Sequence, residues 1–340
     1  MPAVREQPAG SAPIAVLGAG SWGTALAVQF ARSGRPTLLW GRDAAQLRQL
    51  AATRRNDRYL PGVAFPEGLA VEPDFAAAVV GARDVLIAVP SQALRATLVR
   101  LQPLLRPAQR VAWATKGFEL ASGRLPHEVA REVLGPRVPI AVLSGPTFAQ
   151  EVGQGLPTAM TVASPDGRFA DELADALSGQ SFRAYTSPDI VGVEVGGAVK
   201  NVLAIATGIA DGMGYGANTR IALITRGLAE MTRLGVALGA RAETFMGLAA
   251  LGDLVLSCTD DQSRNRRFGL AIARGSSPAD AERAIGQAVE GVPAARAVRA
   301  VAARAGVEMP IAAEVYAVLH EGRDVGAAVR ALMGRERKRE

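Results

Sequence analysis

The sequence predicts an α/β fold, in which a mostly parallel sheet covered by helices is followed by an all-helical C-terminal domain. From Ile14 onward, short β-rich apolar runs alternate with helical stretches, which is typical of a parallel sheet with helices on its faces. After the turn at Ser187-Pro188-Asp189 the strand-like runs largely disappear, and long apolar segments with helical spacing take over. The predicted strands are Ile14–Leu17, Thr37–Trp40, 85–89, 110–114 and 140–143.

The length and local composition of the chain predict two domains and two disordered tails. Because 340 residues exceed the size at which a single hydrophobic core usually stops growing, we expect a sheet domain at 14–188 and a helical domain at 189–333. Residues 1–13 hold three prolines without a periodic pattern, and residues 334–340 are mostly charged, so we predict tails at both ends. The predicted glycine-rich loops of the helical domain lie near 211–216 and 252–265.

Charge and cysteine content limit the classes of partner. The 38 basic and 32 acidic residues give a net charge of +6, and the basic residues are scattered, which argues against nucleic acid and favours anionic small molecules. The single cysteine, Cys258, has no internal disulfide partner, and the N-terminus shows no secretory pattern, so we expect a cytoplasmic protein. The longest apolar stretch, 14–30, is interrupted by glycines, so we expect no stable membrane insertion. We predict no metal site.

A glycine-rich turn joins the first predicted strand to a helix. Ile14–Leu17 runs directly into Gly18-Ala19-Gly20-Ser21-Trp22-Gly23, and a helix begins near Thr24. Side chains at the glycine positions would block the tight turn, the approach of a pyrophosphate to backbone N–H groups, or the packing of helix on strand. In this strand–turn–helix context the motif predicts a dinucleotide-binding domain of the Rossmann type.

The end of the second strand bears on which dinucleotide binds. It carries Trp40-Gly41-Arg42-Asp43, about 20 residues after the glycines, where an NAD-specific enzyme places a carboxylate on the adenosine ribose. Arg42 stands there, and a guanidinium can bind a 2′-phosphate, so we expect NADPH to be accepted. Asp43 leaves the use of NADH open. A surface arginine after a strand is the simpler alternative.

A hydride transfer to a carbonyl also requires a proton donor, and histidine is the usual candidate. His127 and His320 lie in ordinary helical segments, so we expect both to be structural. The chain has only three lysines, Lys116, Lys200 and Lys338, and uses arginine for its other positive charges. Because arginine cannot give up its proton near neutral pH, the two internal lysines indicate acid–base work.

These two lysines occupy different elements. Lys116 follows a strand, at the carboxyl edge of the predicted sheet where ligands bind. Lys200 lies in a helical segment and shares a face with Gly196, Gly197 and Ala204, which are small and leave room for a ligand. Two glycines cost that helix about 1 kcal/mol each relative to alanine, which indicates a packing or a ligand role. Close helix packing beside a snorkelling lysine is the alternative, and these residues alone do not decide between the two.

Two polar clusters in the C-terminal half favour the ligand role. A carboxylate, Asp253, is followed after a short interval by a hydroxyl, a guanidinium and an amide. The guanidinium suits a phosphate, and the other two groups can add hydrogen bonds to it. These phosphate-compatible residues are Ser263, Arg264 and Asn265. We expect the next two residues, Arg266 and Arg267, to form a solvated face.

Taken together, these segments resemble the bacterial-type NAD(P)-dependent glycerol-3-phosphate dehydrogenase family, over residues 14 to about 330. Ala288 departs from the family, in which we expect valine, and Ser257-Cys258 stands where Thr-Cys is common. The matching segments are 18–25, Asn56 with 59–62, 114–117, 144–149, 197–201, 251–254, 263–265 and 289–291.

The resemblance implies a reversible NAD(P)H-dependent reduction of dihydroxyacetone phosphate to sn-glycerol 3-phosphate for phospholipid synthesis, with Lys200 as proton donor and acceptor. It implies NADPH/NADP and NADH/NAD as cofactors, a phosphorylated three-carbon substrate and a homodimer. The implied substrate-binding residues are Lys116, Gly145, Thr147, Lys200, Asp253, Ser263, Arg264 and Asn265. With Gly18, Gly20 and Gly23 of the turn, the expected cofactor contacts are Ser21, Trp22, Arg42, Tyr59, Lys116, Ala149, Arg264, Ala288 and Glu290.

Two alternatives compete with this interpretation. A β-hydroxyacid or 6-phosphogluconate-type dehydrogenase has a similar architecture, but its helix asparagine comes four residues after the lysine. Here Asn201 follows Lys200 directly and Ala204 holds the later position. A cofactor-sensing regulator that catalyses nothing would have no use for Lys200, Asp253 and Arg264 together.

Overall fold

The computed structural model describes residues 12–335 and places ten strands and fifteen α-helices in them. The predicted tail segments 1–11 and 336–340 lie outside the described residues. The strands are β1 Ile14–Leu17, β2 Thr37–Trp40, β3 Arg55–Asn56, β4 Leu60–Ala64, β5 Leu69–Val71, β6 Asp84–Ile87, β7 Arg110–Trp113, β8 Ile140–Ser144, β9 Thr158–Ala163 and β10 Phe182–Ser187. The helices are α1 Ser21–Arg32, α2 Ala44–Thr53, α3 Phe75–Val80, α4 Ser91–Leu101, α5 Pro126–Leu134, α6 Ala149–Gln154, α7 Gly167–Leu177, α8 Ile190–Gly212, α9 Ala217–Ala237, α10 Asp253–Thr259, α11 Arg264–Ala273, α12 Pro278–Ile285, α13 Gly291–Ala305, α14 Pro310–His320 and α15 Val325–Met333.

Eight of the described strands form one sheet in the order β10-β9-β8-β7-β6-β1-β2-β5, and β3 pairs with β4 as an antiparallel hairpin. The central strand β1 is parallel to both of its neighbours, with Leu17 opposite Trp40 of β2 and Ile87 of β6. The pairs β2–β5, β6–β7, β7–β8 and β9–β10 are also parallel. The chain order reverses at β1, and open parallel sheets bind ligands beyond the carboxyl ends of the strands at such a point. This sheet and the helical C-terminal part confirm the predicted fold class.

The five predicted strands are all present, with ends that differ by no more than two residues. The sheet strands that the sequence did not predict are β5, β9 and β10. β5 and β10 are the two edges of the sheet. β5 has only three residues and β10 buries only the first of its six, so neither shows the apolar run that marks a buried strand. No strand follows Ser187 in the described part of the chain.

The described chain forms two compact units, and the chain passes between them more than once. One division lies between Pro188 and Asp189, where the sequence places the domain boundary. Two short segments that precede this boundary in sequence belong to the second unit. The first unit holds the chain up to Thr115 with Ala130–Leu143 and Thr147–Pro188, and the second holds Lys116–Val129, Ser144–Pro146 and the chain from Asp189.

Helix α8 is the central element of the second unit. It is long and apolar enough to cross a membrane by length and composition, but 89% of its most apolar window is buried inside the structure. Its neighbours within the unit include α9, α10, α11, α13 and α14. A helix that is apolar on all sides is also typical of a protein core, and the burial of α8 identifies it as a core helix.

The predicted loop at 252–265 is mostly helical, so that prediction was wrong. A π-helical turn, Leu248–Gly252, leads directly into α10, and only residues 260–263 separate α10 from α11. Gly252 does not interrupt the helical backbone, because its angles are helical, with φ −59° and ψ −50°. Asp253 therefore lies at the start of a helix and not in a loop.

Helices α8 and α11 approach each other so closely that glycine is required at the contact. A Cβ atom added at Gly208 would lie 2.1 Å from the carbonyl oxygen of Arg266. A Cβ atom added at Gly269 would lie 2.3 Å from the carbonyl oxygen of Ile205. Because both obstacles are backbone atoms, neither can move without shifting a helix.

We therefore expect Gly208→Ala to lower the free energy of unfolding by about 1–3 kcal/mol, the usual cost of overpacking, despite a gain of up to about 1 kcal/mol in helix propensity. Gly167→Ala at the start of α7 is the matched control, because a Cβ there meets nothing within 4 Å. Scanning calorimetry should show a lower Tm for the first variant alone. Equal melting temperatures for the two variants would contradict the packing argument.

Candidate active site

The turn between β1 and α1 is shaped by two tightly enclosed glycines. Gly18 has φ +132°, and a Cβ there would lie 2.3 Å from the carbonyl oxygen of Ala88. A Cβ at Gly23 would lie 1.8 Å from the carbonyl oxygen of Gly18. At Gly20, by contrast, a Cβ would meet nothing within 4 Å, so the space in front of α1 is open.

The first turn of α1 suits an anion. Its N-cap, Gly20, makes no side-chain capping bond, and the first turn carries no acidic residue, so its N–H groups face the open space. The indole Nε1 of Trp22 is buried without a hydrogen-bond partner among the described residues. The side chain of Asn56 stabilises this turn, because its Nδ2 donates to the Ala19 carbonyl at 3.0 Å and to the Thr24 hydroxyl at 2.7 Å. An open cradle with an unpaired donor fits a dinucleotide.

After β2 the side chains of Arg42 and Asp43 are both exposed but are differently engaged. The Asp43 carboxylate caps α2 by accepting the N–H groups of Ala45 at 2.9 Å and Gln46 at 3.1 Å. Its Oδ1 is therefore already used within the protein. Arg42 lies one residue earlier, two residues after the end of β2 at Trp40, and is the residue there that suits a phosphate.

In the second unit, one carboxylate joins two lysines. Asp253 Oδ1 accepts from Lys200 Nζ at 2.5 Å, and Asp253 Oδ2 accepts from Lys116 Nζ at 2.6 Å. Lys200 Nζ also donates to Ser257 Oγ at 2.9 Å, and Lys116 Nζ lies 3.5 Å from the Gly145 carbonyl oxygen. Only 2% of the Asp253 side chain is exposed, with 10% for Lys200 and 14% for Lys116.

Burial lowers the pKa of Lys200 from its ordinary 10.5 to about 8. The largest cause is the loss of water around its ammonium group, and the positive charge of Lys116 acts in the same direction. The carboxylate of Asp253 opposes both effects because it stabilises the charged form. Lys200 can therefore release and take up a proton close to neutral pH.

Helix α8, the π-helical turn 248–252 and helix α10 bring Lys200, Asp253 and Ser257 together. Helix α8 carries Lys200, and α10 presents Asp253 and Ser257 one turn apart on the same face. A Cβ atom at Gly196 of α8 would lie 2.7 Å from the carbonyl oxygen of Ala249, so Gly196 admits the π-helical turn that precedes α10.

The neighbouring glycine admits a different group. A Cβ atom at Gly197 would lie 3.3 Å from Cγ of Lys116 and 3.4 Å from the Ser144 hydroxyl oxygen. The expected free space for a ligand above Gly196 and Gly197 is thus filled by protein. The glycine pair has a packing role, and that role brings Lys116 beside α8.

A second polar cluster lies at the start of α11. Ser263 is its N-cap and accepts the N–H of Arg266 at 3.3 Å. Asn265 Nδ2 donates to Asn201 Oδ1 at 2.9 Å, and Asn265 Oδ1 accepts the N–H of Gly291 at 2.9 Å. Since Asn201 follows Lys200 directly, these hydrogen bonds connect the 263–265 segment to α8, the helix that carries Lys200.

The segment before α13 joins the same cluster. Asn201 Nδ2 lies 3.5 Å from Glu290 Oε2, and Arg264 Nη1 lies 3.5 Å from Gln287 Oε1. The second unit thus holds nine of the predicted site residues, Lys116, Gly145, Lys200, Asp253, Ser263, Arg264, Asn265, Ala288 and Glu290. The first unit holds the others, Gly18, Gly20, Ser21, Trp22, Gly23, Arg42, Tyr59, Thr147 and Ala149.

Sequence reasoning missed two side chains at this site and misjudged a third. Ser257 contacts Lys200 directly, and its position four residues after Asp253 on a helix was the available signal. Ser144 is 2% exposed, and its hydroxyl has no partner among the described residues. Arg266 was expected to be solvated but is only 8% exposed, whereas Arg267 is exposed as expected.

The histidines and the cysteine make other contacts. His127 Nδ1 lies 2.6 Å from Glu194 Oε2, and His320 Nε2 lies 3.0 Å from the Val292 carbonyl oxygen. Burial raises the pKa of the Cys258 thiol to about 12, so the thiol stays protonated. Across residues 12–335, no three or more His, Cys, Asp or Glu side chains are grouped so as to hold a metal ion.

Comparison with known proteins gives a consistent match along the chain. The family profile described as NAD-dependent glycerol-3-phosphate dehydrogenase N-terminus matches residues 13–170, and the corresponding C-terminus profile matches residues 189–330. A glycerol-3-phosphate dehydrogenase of Cronobacter sakazakii, named as using NAD(P)+, is 54% identical over 97% of this chain and 98% of the relative. A relative of the same name from Xanthomonas campestris is 57% identical over 96% of both chains. The crystal structure of glycerol-3-phosphate dehydrogenase from Coxiella burnetii, 49% identical, covers 95% of this chain and 99% of its own, with a TM-score of 0.91.

Proposed function

We propose a mechanism from one premise: the chain belongs to the NAD-dependent glycerol-3-phosphate dehydrogenase family. It is an NAD(P)-dependent oxidoreductase that interconverts dihydroxyacetone phosphate and sn-glycerol 3-phosphate. The observation that carries the mechanism is the buried pair of lysines on the single carboxylate of Asp253.

Lys200 is the proton donor and acceptor of the reaction. Reduction of a ketone leaves negative charge on its oxygen, and a cation beside that oxygen stabilises the charge and then supplies the proton. With its pKa lowered to about 8, Lys200 gives up a proton more readily than an ordinary lysine and can recover it in the reverse direction. The bound nicotinamide supplies or accepts the hydride.

Asp253 and Ser257 hold the amine that does this work. Asp253 Oδ1 and Ser257 Oγ both accept from Lys200 Nζ, which fixes two of its three N–H directions. The third N–H is the one that can point at the substrate oxygen. Lys116, held on the other oxygen of Asp253, adds a second positive charge for the developing alkoxide.

The start of α11 is the place for the substrate phosphate. This helix N-terminus presents backbone N–H groups, its first turn has no acidic residue, and Arg264 is its first residue. Arg264 can bind the phosphate as a bidentate fork, while Ser263 and Asn265 can add hydrogen bonds. Gly145 and Thr147 complete the proposed substrate contacts.

The proposed cofactor contacts are the residues that the sequence predicts. The N-terminus of α1 would hold the pyrophosphate, because Gly20 leaves the space in front of it open and Gly18 and Gly23 permit the tight turn that precedes it. Arg42 would bind the 2′-phosphate of NADPH, and the use of Asp43 as a helix cap favours NADPH over NADH. The remaining proposed contacts are Ser21, Trp22, Tyr59, Lys116, Ala149, Arg264, Ala288 and Glu290.

The wider setting is part of the same proposal. Residues 14–188, apart from 116–129 and 144–146, make up the proposed cofactor domain, and those two segments join residues 189–333 in the proposed substrate domain. The protein acts in the cytoplasm as a homodimer, binds no nucleic acid, and supplies sn-glycerol 3-phosphate to phospholipid synthesis.

Size-exclusion chromatography with light scattering tests the dimer, and a single monomeric mass at micromolar concentration would exclude it.

NADPH oxidation with dihydroxyacetone phosphate, compared between the native protein and Lys200→Met, tests the proton-donor role. We expect kcat to fall by at least about a hundredfold, the usual contribution of a positioned acid. NADPH binding should be retained, because the cofactor cradle belongs to the other unit. A variant with near-native kcat would remove Lys200 from the mechanism, and a native protein that binds NADPH without turnover would refute the substrate assignment.

The ratio of kcat/KM for NADPH to that for NADH tests the role of Arg42. Arg42→Gln should lower this ratio by about tenfold or more, since a charge-assisted bond to the 2′-phosphate is lost while NADH has no such group. Arg48→Gln on the exposed surface of α2 is the control and should leave the ratio unchanged. An equal loss with both cofactors would contradict the assignment.

A further inference from the structure

Arg266 is a buried cation that the proposed reaction does not use. Its guanidinium Nη2 donates to Asp211 Oδ2 at 2.7 Å, and its Nη1 donates to the carboxylate of Asp261. Only 10% of the Arg266 side chain and 6% of the Asp211 side chain are exposed. Breaking a buried pair by removing one partner is costly because the remaining charge is left without compensation.

Both carboxylates precede the 263–265 segment in the chain, but they lie on different elements. Asp211 is at the end of α8, the helix that carries Lys200. Asp261 lies in the turn just before Ser263, and Asp260 closes that turn by accepting the N–H of Gln262 at 2.7 Å. Arg266 thus connects the turn that leads into α11 with the lysine helix.

Asp211 is itself held in place from a third element. Its two carboxylate oxygens accept from Arg220 Nε of α9 at 3.0 and 3.1 Å. The backbone of Arg266 is packed against Gly208 of α8, where a side chain would not fit. The position of the α11 N-terminus along α8 is therefore determined by both a backbone contact and an ion pair.

We propose that Asp211 and Arg266 are positioning residues that hold the Ser263–Asn265 segment in its phosphate-binding arrangement. This inference rests on the proposed phosphate role of that segment. Neither residue touches the substrate. Arg266 acts by fixing the first turn of α11, and Asp211 acts by fixing the Arg266 guanidinium.

The two candidate roles of this ion pair predict different kinetics. A pair that merely stabilises the fold affects every substrate to the same extent. A pair that positions the phosphate segment affects only substrates that carry a phosphate. Glycolaldehyde has the carbonyl and the adjacent hydroxyl of dihydroxyacetone phosphate but lacks the phosphomethyl group, so it reports on the reduction alone.

The experiment compares kcat/KM for NADPH-dependent reduction of dihydroxyacetone phosphate and of glycolaldehyde in the full-length protein. Asp211→Asn should lower the value for the phosphate ester by about tenfold and leave the value for glycolaldehyde within about twofold. The matched control is Asp280→Asn, which changes the same group in the exposed pair with Arg283 and should alter neither value. Equal losses on both substrates, or none, would overturn the inference.

Two further variants separate the possible failures. Arg264→Gln, assayed with NADPH at saturation because Arg264 is also a proposed cofactor contact, should show the selective loss on the phosphate ester. If it does not, the proposed phosphate site is wrong whatever Asp211→Asn does. If Arg264→Gln shows it and Asp211→Asn does not, only the positioning role fails. If Asp211→Asn does not fold, Arg220→Gln removes a partner of Asp211 at a more exposed place, and it should give the same selective loss, smaller in size. Equal changes in kcat/KM for dihydroxyacetone phosphate and glycolaldehyde in that variant would also overturn the inference.

Discussion

The carboxylate of Asp253, buried between the ammonium groups of Lys116 and Lys200, is the interaction on which the proposed reaction depends. Two cations held this close and away from water repel each other and lose hydration, and one carboxylate compensates only part of that cost. The remaining imbalance lowers the pKa of Lys200 to about 8. The same arrangement that makes the site costly to bury therefore makes one of its amines a usable acid and base.

This cluster exists because the surrounding packing allows backbone to approach backbone. Helix α8 is buried on every side, so its polar groups are satisfied by neighbouring elements and not by water. Gly196 admits the turn before α10, Gly197 admits the stem of Lys116, and Gly208 admits the start of α11. Each glycine thus determines the position of one polar segment relative to Lys200.

Much of this could be predicted from local signals. The strand–glycine–helix pattern at 14–24 predicted the turn proposed to hold the nucleotide, and the scarcity of lysine singled out the two active-site candidates, because each signal depends on residues close in sequence. The misses have a different cause. The burial of Arg266 depends on Asp211, 55 residues away along the chain, so no local pattern reports it. The contact of Lys200 with Ser257 was missed because 252–265 was predicted as a loop, which hid the helical spacing of Asp253 and Ser257. The loop predicted near 252–265 is wrong because Gly252 keeps helical angles and continues the chain into α10.

The lowered pKa of Lys200 can be measured directly by titrating the lysine side chains by NMR. With three lysines in the chain, selective isotope labelling gives few signals, and Lys200→Met identifies that of Lys200. We expect a pKa near 8 for this signal, and a still lower pKa in Asp253→Asn, because the carboxylate that stabilises the charged form of Lys200 is then absent. A Lys200 signal that titrates near 10.5, or one whose pKa rises when Asp253 is neutralised, would contradict this expectation.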